Sequence, residues 1–247
     1  MNVYPLSEGS FTVDRTKEFV PFHPQTDAIQ DRTPGSLLVE VQPFAMVTSQ
    51  DVLVFDTGLG FSEPDGTLQL HANLMRHGIK PGDVTKVLLS HLHRDHAGGI
   101  SYIDPSSQQP VLSFPQATYV VNKQEFEIAL SGLSKSYRAD DVRLLENNKQ
   151  LMLVESSGTI DGYIHYAWTG AHSPWHQVFK VTDQGQTVFF GGDVAPQLMQ
   201  MKTRISAKYD FDGRMAADLR KKWWQKGEEE KWTFLFYHDI RTPVFKF

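Results

Sequence analysis

The chain has 247 residues, 40% of them apolar, which suits one domain with a large core spanning residues 1–247. Its 24 basic and 29 acidic residues leave a formal net charge of −5, so there is no electrostatic footprint for nucleic acid. Cysteine is absent, which excludes disulfides, thiolate nucleophiles and sulfur-held metals; any metal must sit on nitrogen and oxygen.

Residues 1–11 lack the basic and apolar regions of a secretory leader, and no run approaches membrane-spanning length. A cytoplasmic protein with no membrane partner is expected. Residues 11–13 read as a strand and residues 17–34 as a polar, proline-punctuated loop, where His23 has no second ligand type beside it. Leu37–Val41, Phe44–Val47 and Val52–Phe55 read as successive strands of an antiparallel meander. Asp56 closes the third, in Asp56-Thr57-Gly58. It is either a turn residue or the partner that a ligating histidine needs on its other ring nitrogen. Leu59, Phe61 and the loop to Gly66 are placed at a pocket mouth. Residues 67–77, with Leu70, Leu74 and Met75, predict a helix stopped by Gly78, on which His71 and His77 are solvated or complement the dipole.

The next element is the most informative. Val87-Leu88-Leu89 reads as a buried strand that empties into Ser90-His91-Leu92-His93-Arg94-Asp95-His96-Ala97-Gly98-Gly99. Ligands at the carboxyl end of a strand lie where α/β sheets place their chemistry. His91 and His93 can aim at one ion, while Asp95 and His96 are displaced enough to reach a second. Borderline metals such as zinc accept imidazole and carboxylate together. The two glycines allow a tight turn beneath them.

Beyond it, residues 105–115 predict a loop, 117–121 a strand and 123–130 a helix with Glu125 and Glu127 solvated. Residues 131–148 read as helix and loop covering the site. Residues 151–154 and 163–168 are strands, the second carrying His165 in a packed or surface position. Residues 177–181 and 188–190 flank the hairpin turn Asp183-Gln184-Gly185-Gln186. Residues 211–230 hold Met215, Leu219 and Trp223 at helical spacing, with Arg220, Lys221 and Lys222 toward solvent. Residues 232–237 form the last core strand. Phe245 and Phe247 suit an edge or a homodimer contact.

The His91-to-His96 segment resembles the HxHxDH signature of the metallo-β-lactamase-fold hydrolases. Further landmarks follow in that superfamily's order: Asp56-Thr57-Gly58, Thr169-Gly170-Ala171-His172-Ser173-Pro174-Trp175-His176, Gly191-Gly192-Asp193 and Tyr237-His238-Asp239. Residues 6–11 and 234–239 look most like the lactonase and organophosphate-hydrolase branch. The resemblance implies an α/β (α+β) fold, a four-layer αββα sandwich. It also implies one ion held by His91, His93 and His172, a second by Asp95, His96 and His238, Asp193 bridging them, and Asp56 and His176 orienting ligands. The family usually has glycine where this chain has Ala171, and often where it has Trp175; Trp175 becomes a bulky wall. A family tyrosine that contacts the substrate carbonyl is replaced near Pro196, with Tyr209 as a substitute, and Met199 joins Phe61 and Trp175 as pocket residues.

The expected chemistry is hydrolysis by a hydroxide between two divalent ions, most simply Zn2+, with Mn, Co or Fe also accommodated. Asp95 or Asp193 then serves as the catalytic proton carrier. The expected partner is a small-molecule ester or lactone, N-acyl homoserine lactone first. Organophosphate or aryl ester hydrolysis is the near alternative, and a mononuclear iron persulfide dioxygenase the distant one.

Overall fold

The computed structural model describes residues 1–203 and 205–247. Its first half contains β1 (Asn2–Pro5), β2 (Gly9–Val13), β3 (Phe19–Phe22), β4 (Leu37–Val41), β5 (Phe44–Val47), β6 (Val52–Phe55), α1 (Gln69–Arg76), β7 (Lys86–Leu88), α2 (Arg94–Ala97), β8 (Ser101–Ile103), β9 (Pro110–Leu112), β10 (Thr118–Asn122), α3 (Lys123–Ser131), α4 (Ala139–Val142) and β11 (Leu151–Val154). The second half contains β12 (Ser157–Ile160), β13 (Ile164–Trp168), β14 (Gln177–Asp183), β15 (Gln186–Phe190), α5 (Leu198–Lys202), α6 (Gly213–Glu230), β16 (Thr233–Leu235) and β17 (Val244–Lys246).

Two six-stranded sheets dominate, in the orders β1-β5-β6-β7-β10-β11 and β12-β13-β14-β15-β16-β17. Side-chain alternation explains why they stack. Phe44 and Met46, Leu53 and Phe55, Leu88 and Val120 face inward. There they meet Phe179 and Val181, Val188 and Phe190, and Leu235 of the other sheet. The residues between them, Ala45, Val54, Val87 and Val121, turn outward under Leu70 and Leu74 of α1 and Phe126 and Ala129 of α3. On the far side Val178, Phe189 and Phe234 pack against Met201 of α5 and Trp223 and Trp224 of α6. Helices, two sheets and helices give the αββα layering.

β6, β7, β10 and β11 run parallel, as do β15 and β16. Their carboxyl ends therefore share one rim of the sandwich. Among the described residues no helix is long and apolar enough to cross a membrane.

Several expectations need correction. Residues 17–34 contain β3, paired with β2, with Pro21 tolerated because β3 is an edge strand. β4 also pairs with β2 rather than continuing the meander into β5. Residues 105–115 contain β9, which Pro110 opens at a position needing no ladder donor. β12 was not anticipated; it is a polar edge strand made by pairing with β13. The last strand is β17 at the sheet edge; Phe245 on it and Phe247 just beyond lie 5.2 and 4.7 Å from Trp224, which is the edge placement expected for them.

Three side chains assigned to solvent are buried. His71 Nε2 reaches the Ser113 carbonyl at 2.9 Å, and burial lowers its pKa, so it is a neutral core residue. Arg220 donates to the Val194 carbonyl at 2.9 Å and to that of Ile205. Glu125 is 0% exposed. Met215, placed on the inner stripe of α6, is instead 41% exposed, while Leu219 and Trp223 of that stripe pack against the core and Ala216, Arg220 and Gly227 are buried.

Candidate metal centre

The rim cluster follows strand ends, except that Asp95 and His96 sit in the short helix α2 rather than in a loop. β7 delivers His91, His93, Asp95 and His96; the turn after β13 delivers His172; β15 delivers Asp193 and β16 delivers His238. Close backbone packing sets the loops. A Cβ on Gly60, whose φ is +75°, would lie 2.1 Å from the Gly98 carbonyl oxygen, so only glycine lets the two loops meet.

Two triads result. His91, His93 and His172 form one, and Asp95, His96 and His238 the other, each with one ligand atom apiece within 4.8 Å of its fellows. In the first, His93 Nδ1 lies 3.0 Å from His91 Nε2 and 3.3 Å from His172 Nε2. In the second, Asp95 Oδ2 is 3.6 Å from His96 Nε2 and 3.5 Å from His238 Nε2. Asp193 stands between them: its Oδ2 is 3.2 Å from His172 Nε2, and its Oδ1 is 3.2 Å from His96 Nε2 and 3.0 Å from His238 Nε2.

On four of the five imidazoles the remote ring nitrogen meets a partner that fixes the tautomer. His96 Nδ1 donates to Asp56 Oδ2 at 2.7 Å. Asp56 also accepts the Ser90 backbone N–H and hydroxyl, both at 2.7 Å, and the Ser90 oxygen then faces His91 Nδ1 at 3.0 Å. His238 Nδ1 donates to the Glu40 carbonyl at 2.6 Å, and His172 Nδ1 to Asp210 Oδ1 at 3.2 Å. Asp56 holds this position with φ of +52°, a left-handed conformation unusual for a residue with a side chain.

Electrostatics match a cation site. Burial drives the His91 and His93 pKa values well below the usual range, which leaves neutral rings with free lone pairs. Burial also opposes charge on His96, but Asp193, Asp95 and Asp56 outweigh it and raise its pKa well above the usual value. Positive charge is thus favoured among the three aspartates. His96 Nε2 and Asp193 Oδ1 are buried without any hydrogen-bond partner, and such atoms are rare unless an ion or water completes them. An all-nitrogen triad beside a nitrogen and oxygen triad fits divalent cations of borderline softness.

Of the other sequence candidates, His176 is buried against the site, with Thr169 Oγ1 3.2 Å from its Nδ1 and its Nε2 accepting the Asp193 backbone N–H at 3.2 Å. Tyr209 sits 5.7 Å from the His172 ring, its hydroxyl accepting from Gln200. Phe61, 42% exposed, packs on Phe11, and Met199 is 63% exposed. Trp175 is not brought to the triads. It lies 6.1 Å from Trp168 over a separate cavity of about 150 Å³ with Asn122, Gln124 and Glu155, because the turn is pinned by the Trp168 indole donating to the Pro174 carbonyl.

Other residues around the site had no role in the sequence reading. Asp210 orients His172, and Tyr237, stacked 4.1 Å from His96, donates to the Asp95 carbonyl. Glu8 receives the Leu59 N–H at 2.6 Å, and burial lifts its carboxyl to about 8. A carboxyl that holds its proton more tightly folded than unfolded contributes stability that is complete below the usual carboxylate range and lost as pH rises through about 8. Urea midpoints at constant metal content should therefore fall between about pH 5 and about pH 8, by a few kcal/mol of stability at most, and Glu8→Gln should flatten that slope. Equal slopes in both proteins would show that Glu8 ionises freely in the fold.

The model of the Metallo-beta-lactamase superfamily matches residues 39–230. The chain belongs to this superfamily. It is 25% identical over 232 residues to the N-acyl homoserine lactonase AiiA of Bacillus thuringiensis subsp. kurstaki, covering 84% of this chain and 85% of that one. A "probable metal-dependent hydrolase" of Staphylococcus aureus superposes with a TM-score of 0.76 at 20% identity, covering 99% of this chain and 91% of that one. AidC, a dizinc quorum-quenching lactonase in complex with a product, superposes with a TM-score of 0.70 at 18% identity over 98% and 88% of the two chains. These metallo-beta-lactamase relatives and the paired histidine and aspartate triads make the chain a metal-dependent hydrolase.

Proposed function

We propose that this hydrolase opens lactones or cleaves carboxylic esters at a pair of divalent cations, zinc being the simplest choice, with N-acyl homoserine lactone as the leading substrate. The observation that carries the reading is Asp193, whose two carboxylate oxygens face different triads. His91, His93 and His172 would hold one cation, and Asp95, His96 and His238 the other. When bound, such cations supply an activated water and positive charge for the carbonyl and leaving oxygens.

The chain's own groups supply the rest. Ser90, Asp56, Glu40 and Asp210 lock the imidazoles so that their free nitrogens converge. Asp95 borders the cleft with its side chain 13% exposed, which suits it to pass a proton to the departing alkoxide. Asp193 shares that location and is the alternative carrier. Tyr209 stands beside His172, where its hydroxyl can donate to the substrate carbonyl oxygen. Phe61 and Met199, both exposed, would offer apolar surface to an acyl chain. The relatives' lactonase activity supports the lactone over other esters.

The test is a pH-stat assay of purified protein of known metal content against N-hexanoyl and N-decanoyl homoserine lactone, phenyl acetate and a dialkyl aryl phosphate. Lactone turnover with about one acid released per lactone opened and about two ions per chain is expected. Phosphate turnover without lactone turnover would move the substrate to the phosphotriesters. A single iron with oxygen uptake on a persulfide would replace the hydrolase reading.

A further inference from the structure

Glu125 lies in the first turn of α3, where its sequence context marks it as solvated, yet it is wholly buried behind the first triad. Its Oε1 accepts the Leu92 backbone N–H at 3.1 Å, between His91 and His93. Its Oε2 accepts the Ser173 hydroxyl at 3.1 Å, directly after His172. The Tyr137 hydroxyl faces the same carboxylate, and the Tyr137 ring packs edge-on at 4.9 Å from His93. Helix α3 is anchored in turn by Asn122, whose Oδ1 caps the Gln124 and Glu125 N–H groups at 3.0 and 3.3 Å. One rigid carboxylate thus holds three segments that are distant in sequence.

We propose that Glu125 is a positioning residue for the first triad, a clasp fixing the His91–His93 loop to the His172 turn and tying residues 131–148 over both. The inference rests on reading that triad as a cation site. Without the clasp, no other side-chain hydrogen bond among the described residues joins Leu92 to Ser173. Ser90 and Asp210 would still orient the His91 and His172 rings, but the spacing between loop and turn would be set by the cation itself, and the cost of ordering them falls on its affinity.

The test compares parent, Glu125→Ala, Glu125→Gln and Ser173→Ala by zinc competition against a chromogenic chelator, with circular dichroism to verify folding. Glu125→Ala should weaken one of two ions about 10- to 100-fold. Glu125→Gln can still accept from Leu92 and donate to the Ser173 oxygen, so it should stay within about threefold of the parent. Ser173→Ala, which removes one arm, should weaken the same ion about tenfold or less and covers the case of a misfolded alanine variant. In a His238→Ala background, Glu125→Ala should weaken the remaining ion by the same factor, which places the effect in the first triad. Parent-like zinc affinity in folded Glu125→Ala, or in Ser173→Ala if the former misfolds, would overturn the clasp while leaving the hydrolase reading intact. A parent that binds no zinc would overturn the metal reading itself.

Discussion

Asp193→Asn should lower kcat/KM by about 10³-fold or more, equivalent to about 4 kcal/mol of transition-state stabilisation. Asparagine preserves volume and one carbonyl oxygen, so the fold should survive. What disappears is the negative charge facing His172 on one side and His96 and His238 on the other, at 3.0 to 3.2 Å. One of the two sites must then face an amide NH₂, a donor where a cation requires an acceptor. Elemental mass spectrometry should show the ion count falling from about two toward one alongside the kinetic loss. Two retained ions with parental turnover would remove Asp193 from the bridge.

Asp56→Ala should be nearly as damaging by a different route. Its carboxylate accepts three hydrogen bonds, from the Ser90 N–H, the Ser90 hydroxyl and His96 Nδ1, and is entirely buried. Alanine leaves those donors buried and unpaired, at about 1–3 kcal/mol each before any relaxation. His96 is freed directly and His91 through Ser90, so both cations should weaken, by about 10- to 100-fold each. Asp56→Asn keeps one accepting oxygen and should fall between the two. Chelator competition together with thermal unfolding measures both effects. Parental metal affinity with only a lowered melting temperature would assign Asp56 to the turn alone.

The strands and the ligand cluster were legible in the sequence for one reason: their signals are local. Runs such as Val52–Phe55 and Val188–Phe190 carry enough apolar residues to cover both faces of a strand, and His91 through His96 state their chemistry within six residues. The edge strands β3 and β12 carry no such signal, since pairing with β2 and β13 makes them strands. Buried polar residues were illegible for the same reason. Glu125 and Arg220 look like helix-surface charges until Leu92, Ser173 and Val194 close around them from far along the chain. Asp210 meets His172 across 38 positions, a distance over which no spacing rule operates. Trp175 was assigned to the pocket because of its sequence neighbours, but the turn rotates it toward Trp168.

The division of labour between the two large sheets has a consequence for how the molecule comes apart. One sheet is drawn entirely from residues up to Val154 and the other from residues from Ser157 onward, yet each triad takes members from both halves of the chain. His93 and His172 are 79 positions apart. With the proposed cations in place, each ion is a cross-link between halves in a chain that has no cysteine to make one. Neither half can complete a coordination sphere by itself, so the ions bind only after the sheets have docked and then oppose their separation by mass action. Resistance to unfolding becomes a function of free metal concentration, and scarcity of metal loosens the sandwich along its central seam.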